Sequence, residues 1–223
     1  MSGLEEWLET TAPFHTFEAC DTTKLELVIA TLAEANSSTE KDSRKEFKAM
    51  MQNDEIVARL KSQGVIKPNN RGEIDWDDAT LAWLCSLPGN DGLPEPLGSD
   101  KSRERLGRFA WGDGNPLSYL LEFISPLDDG EELLTLISEL AHRFSAANMG
   151  HGNFRTGTGG MCLLGYLTNI EAGELRQLLS RGKWAVSSDE VFDGGVREIA
   201  KYLVIVLRQA SSRGNGILLR AHS

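Results

Sequence analysis

Apolar residues recur at helical spacing along most of the chain and at strand spacing in only a few short stretches. The segment TTKLELVIATLAEAN, from Thr22, sets Leu25, Val28, Ile29, Leu32 and Ala33 on one stripe, and Thr23 with Glu26 reads as a capping box that opens the helix. EKDSRKEFKAMMQNDEIVARLKSQG predicts one further helix, with Phe47, Met50, Met51, Ile56, Val57 and Leu60 inward and Gly64 as its stop. A third follows the acids of DWDD and uses Leu81, Trp83 and Leu84. Pro116 opens PLSYLLEFI, and DDGEELLTLISELAHRF is strongly amphipathic, with Leu133, Leu136, Ile137, Leu140 and Phe144 in register. His15 lies in an irregular apolar segment before all of these.

Beyond residue 160 the period changes. MCLLGYL reads as a buried strand, and Thr168 with Glu171 forms a capping box that starts the helix of NIEAGELRQLLSRG. KWAVSSDE predicts a short strand, with Ser187 and Ser188 equally suited to a turn. Residues 195–213 form the longest helix, whose stripe of Val196, Ile199, Leu203, Val206, Leu207 and Ala210 is widened by Ala200, Val204 and Ile205. A helix apolar on so much of its circumference belongs at the centre of the core. Gly214 and Gly216 end it, and ILLRAH returns as a strand able to pair with MCLLGYL.

These elements predict an α+β fold, mostly helical, with a small sheet in the C-terminal half packed on the helix of residues 195–213. PGNDGLPEPLGSD, rich in proline and glycine, breaks the pattern. The expected organisation is a helical part over residues 1–87, a loop or joint over 88–104, and an α+β part over 105–223, together making one compact domain. A chain of 223 residues with 40% hydrophobic residues can close such a core unaided.

Charge narrows the function. The formal net charge of −10 disfavours nucleic acid and anionic lipid surfaces. Residues 72–100 and 121–140 are rich in carboxylates and hold no Lys or Arg, whereas KSRERLGR between them is basic. Asp75, Trp76, Asp77, Asp78, Trp111, Asp113, Asp128 and Asp129 are therefore the expected contacts for a basic protein partner, with Trp111 the most exposed tryptophan. The concrete form of this reading is a binding module without catalysis: an immunity protein or antitoxin-like inhibitor. The competing role for DWDD is capping of the helix that follows.

The three cysteines are widely spaced and form no C-x-x-C pair, so neither a disulfide framework nor a zinc site is expected. The acidic start MSGLEEWLETTAPF lacks the bases of a signal peptide, and YLVIVL is far too short to span a membrane; a cytoplasmic location is expected.

HGNFRTGTGG, residues 151–160, follows a helix and precedes a strand, the reverse of a phosphate-binding loop, and carries no nucleotide motif. It suits a flexible connector, whose glycines permit positive φ, or a binding loop or lid. The alternative function gathers around it: a small hydrolase or transferase using Cys162 as nucleophile, His151 or His142 as base, Asp189 as orienting acid, and Arg155. SSDEVFDGG, with Asp189, Glu190 and Asp193, otherwise reads as a turn followed by a cap. DWDD fails as a calcium loop, because Thr80 stands where glycine is needed. No metal or cofactor is expected.

Overall fold

The structure is a computed structural model that describes residues 14–37, 43–69, 71–89, 93–94, 97, 105–107, 109–127 and 130–222. Most of the expected loop at 88–104 lies outside these residues. In chain order the elements are β1 (Phe14–Cys20), α1 (Thr22–Ser37), α2 (Ser43–Met50), α3 (Asp54–Ser62), α4 (Asp78–Ser86), β2 (Arg105–Gly107), α5 (Pro116–Phe123) and β3 (Ile124–Pro126). They continue as α6 (Glu131–His142), α7 (Ala146–Met149), β4 (Met161–Leu167), α8 (Asn169–Arg181), β5 (Trp184–Val186), α9 (Gly195–Ser212) and β6 (Gly216–His222). The fold is α+β and mostly helical.

β2, β1, β6 and β4 form one antiparallel sheet in that order, and β3 pairs with β5 in a second. β6 therefore has neighbours on both sides, with Ala221 opposite His15 of β1 and Cys162 of β4. Successive strand residues face opposite ways. Phe17, Ala19, Ile217, Leu219 and Leu164 join one core with the apolar faces of α5, α6, α8 and α9. Cys20, Leu218, Leu163 and Tyr166 join another with α1 to α4. Helices thus cover both faces of the sheet.

The pairing of β4 with β6 and the burial of α9 follow the sequence pattern. The sheet is not confined to the C-terminal half, because β1 comes from the segment read as irregular. That strand carries buried polar residues, His15, Thr16 and Glu18, which hide its apolar alternation. Glu18 is 4% exposed; its carboxylate accepts from Arg220 Nη2 and from Trp83 Nε1, each at 2.5 Å. The Arg220 guanidinium lies 5.1 Å over the Trp83 ring. Charge, hydrogen bonds and stacking together make this polar cluster compatible with a position beneath α4.

Two helix boundaries differ from the expected ones for local reasons. Asp21, not Thr23, caps α1, its carboxylate accepting from the Lys24 amide at 3.2 Å. The single helix expected between residues 40 and 64 is two, because the Asn53 side chain accepts from the amides of Glu55 and Ile56 and opens a new helix. The box of Thr168 with Glu171 forms as expected, and Glu171 also accepts both Arg143 terminal nitrogens.

β4 passes against the end of α6. Its register with β6 slips between Leu163 and Gly165, and the Leu164 carbonyl accepts from the Phe144 amide at 3.0 Å. A Cβ on Gly165 would lie 2.1 Å from the Glu139 carbonyl oxygen and 2.4 Å from that of Leu140. Gly165→Ala should therefore lower the free energy of unfolding by about 2–3 kcal/mol in urea titrations. Gly173→Ala, at a helical site with open space around it, should be neutral or slightly stabilising.

Candidate functional site

The end of α6 and the start of β4 border a cavity of about 430 Å3. Its floor is sheet, from Cys162, Leu164 and Ala221. One wall is the glycine-rich segment, through Arg155, Thr156, Gly157 and Gly160, and the others are His142 and the turn holding Asp113 and Asn115. The backbone explains the convergence. His142 ends α6, which the Phe144–Leu164 hydrogen bond ties to β4, whereas Asn115 caps α5 through its side-chain oxygen, 2.9 Å from the Leu117 amide.

The glycine-rich wall is an anchored structure. Phe154 is fully buried and packs 5.1 Å from Phe144, fixing the middle of the segment in the core. Gly150, Gly159 and Gly160 have positive φ, which lets the chain turn sharply at each end. Asp77 clasps the far end: its carboxylate accepts from the amide and hydroxyl of Thr158, at 2.8 and 2.7 Å, and from those of Thr80, at 2.8 and 2.9 Å. Asp78 clasps the near end by accepting from Asn153 Nδ2 at 3.1 Å, and pairs with Arg71 at 2.9 Å. Helix capping and loop fixation are thus done by the same acids.

Electrostatics set the state of each group in the cleft. Burial pushes the Cys162 thiol above its ordinary value, and the opposing charge and hydrogen bond of Arg155 do not cancel that effect. His142 is held below the usual histidine value by burial and by Arg155, against the opposing pull of Asp113, so its ring is neutral at pH 7. Among the described residues Arg155 makes no ion pair. The arrangement offers a cation, a neutral imidazole and a protonated thiol around one space.

Arg155 and Cys162 of the expected catalytic set meet here with His142, the second candidate base. His151 does not line the cavity; its ring packs 5.5 Å from Phe154. Asp189 stands exposed in the turn after β5, where its amide donates to the Ser187 hydroxyl. Of the residues expected to meet a partner, Asp75 and Asp113 are exposed, Trp76 is half-buried, Asp77 is half-buried and committed to the clasp, and Asp78 is buried. Trp111 is half-buried, packing edge-on against Tyr119 and Phe123 at 5.5 and 5.4 Å. Asp128 and Asp129 lie outside the described residues. Sequence reasoning passed over Asn115, whose only signal was an asparagine directly before the proline that opens a helix.

No family model matches the chain, and neither a curated protein nor a solved structure resembles it. Among the described residues no helix is long and apolar enough to cross a membrane, and no three His, Cys, Asp or Glu side chains stand where they could hold a metal ion.

The clasp has a pH signature. Burial raises the Asp77 carboxyl, but the hydrogen bonds from Thr158 and Thr80 outweigh it and hold the group below the ordinary 3.8. Its contribution is therefore present in full above that value and is lost as pH falls through the lowered one. Asp77→Ala should cost about 2 kcal/mol, by loss of the cap and the clasp together. Hydrogen exchange should speed up at the Thr158 amide, and the stability difference should stay constant from pH 8 to about 5 and shrink only in stronger acid.

Proposed function

We propose that the protein is a small hydrolase or transferase whose substrate occupies the cleft under the glycine-rich segment. The observation that supports this reading is the convergence of Arg155, Cys162 and His142 on one cavity, with the thiol and imidazole both displaced from their ordinary titration ranges. In this mechanism His142 accepts the thiol proton, and the sulfur adds to a carbonyl carbon of the substrate. The developing oxyanion faces Arg155; collapse expels the leaving group, which takes the proton from the imidazolium. Water, in hydrolysis, or a second acceptor, in transfer, then releases the acyl group from sulfur. The base is required because burial keeps the resting thiol protonated.

Cys20 and Cys85 are buried, with thiol values raised far up, Cys85 to about 12, so Cys162 is the thiol open to reagents. Native protein should take up one equivalent of iodoacetamide, on Cys162, with a half-maximal rate above the ordinary value of 9.0. Against a panel of p-nitrophenyl esters and thioesters, Cys162→Ala should reduce turnover by about a thousandfold or more. Unchanged turnover in that variant would remove the mechanism.

The net charge of −10, with Asp75 and Asp113 exposed, supports a second reading: a cytoplasmic module that occupies a basic protein, as an immunity protein or antitoxin-like inhibitor does, and that leaves nucleic acid alone. Immobilised protein should then retain a basic protein at one-to-one stoichiometry in low salt and release it in high salt. Retention that is indifferent to salt would count against this reading.

A further inference from the structure

Two donors border the cleft, the Asn115 side-chain amide and the Arg155 guanidinium. Asn115 is only 3% exposed, and because the Leu117 amide donates to its side-chain oxygen, the other end of the amide must be the NH2 group. Among the described residues nothing accepts from that NH2, and Asn115 borders the cavity. The nitrogen is not one of the sealed-off side-chain atoms without a partner, so it stands open to whatever fills the cavity. Arg155, across the same space, is the second donor: it hydrogen-bonds the Cys162 thiol, and among the described residues no carboxylate pairs with its charge. A planar carboxylate, with two acceptor oxygens, satisfies both.

The rim is of opposite sign. Asp113 stands two residues from Asn115, exposed at the mouth of the cavity, with one oxygen taken by the Asn115 amide at 2.9 Å and the other 3.4 Å from the Ser118 hydroxyl. A carboxylate so close to the donors repels a second negative charge on the ligand and attracts a positive one, which disfavours a phosphate dianion and favours a zwitterion. The volume of about 430 Å3 is within the range of small-ligand sites. We infer that the cleft holds an α-amino acid or a close relative, its carboxylate on Arg155 and Asn115 and its ammonium group on Asp113. The inference rests on the reading of the cleft as a ligand site and adds the class of the ligand.

Calorimetric titration of the whole chain with each of the twenty protein amino acids, and then with the des-amino and decarboxylated analogues of the tightest, tests it. At least one amino acid should bind, and loss of the amine should cost about tenfold and loss of the carboxylate more. Arg155→Gln should weaken the amino acid and its des-amino analogue alike, by tenfold or more. Asp113→Asn should weaken only the amino acid. Asn115→Asp keeps the acceptor that caps α5 but turns the donor into a negative acceptor, and should abolish binding with the fold intact by circular dichroism. The inference falls if no amino acid binds, if inorganic phosphate or the des-amino analogue binds as tightly, or if Arg155→Gln binds like the wild type. Cys162→Ala keeps the two claims apart: it should retain amino-acid binding, whereas the catalytic proposal stands or falls on its turnover.

Discussion

The architecture depends on double-sided pairing of β6. Its backbone groups are taken by β1 on one side and β4 on the other, and its side chains alternate between two separate cores. Each core needs this strand. Its Leu218 packs with the helices before residue 90 and its Ile217 and Leu219 with those after residue 115, so the strand is part of the surface the two groups share. The Glu18–Arg220–Trp83 cluster adds direction to this pairing. A slip of one residue would turn Arg220 toward the opposite, apolar core and leave Glu18 buried without its cation.

The cleft forms where that order ends. The starts of β4 and β1 and the end of β6 lie side by side, and there the sheet face is left for a turn, a helix end and the glycine-rich segment to close. The floor is held by strand pairing, where Cys162 sits in β4, and the wall by two carboxylates that clasp a segment with glycines at its turns. Side chains carried on regular structure under a clasped loop are held more firmly than side chains on the loop itself.

What could be read from the sequence was local. The capping box of Thr168 with Glu171, the stripe of α9 and the strand MCLLGYL are patterns complete within a single element. β1 was not legible, since Glu18 fits its buried position only because Trp83 and Arg220, 65 and 202 residues away, meet it. The same holds in the cleft. Cys162 and Arg155 could be picked out as residue types beside a glycine-rich segment, but His142 and Asn115 reach them only through the packing of α6 and α5 on the sheet. Asp77 and Asp78 were recognised as helix-capping acids; that they also hold residues 153 and 158 depends on contacts that no spacing encodes.

The position of β6 in the chain has a consequence for biosynthesis. The central strand is made after every other described element, while its partner β1 is among the first. At 5–20 residues per second, β1 waits roughly ten to forty seconds for its neighbour. Until then the edge of β1 that β6 will take has no strand beside it, and an unpaired edge is a template for other chains. In a chain made in this order the four-stranded sheet can close only after β6 has been synthesised, whatever local structure the helices have reached by then.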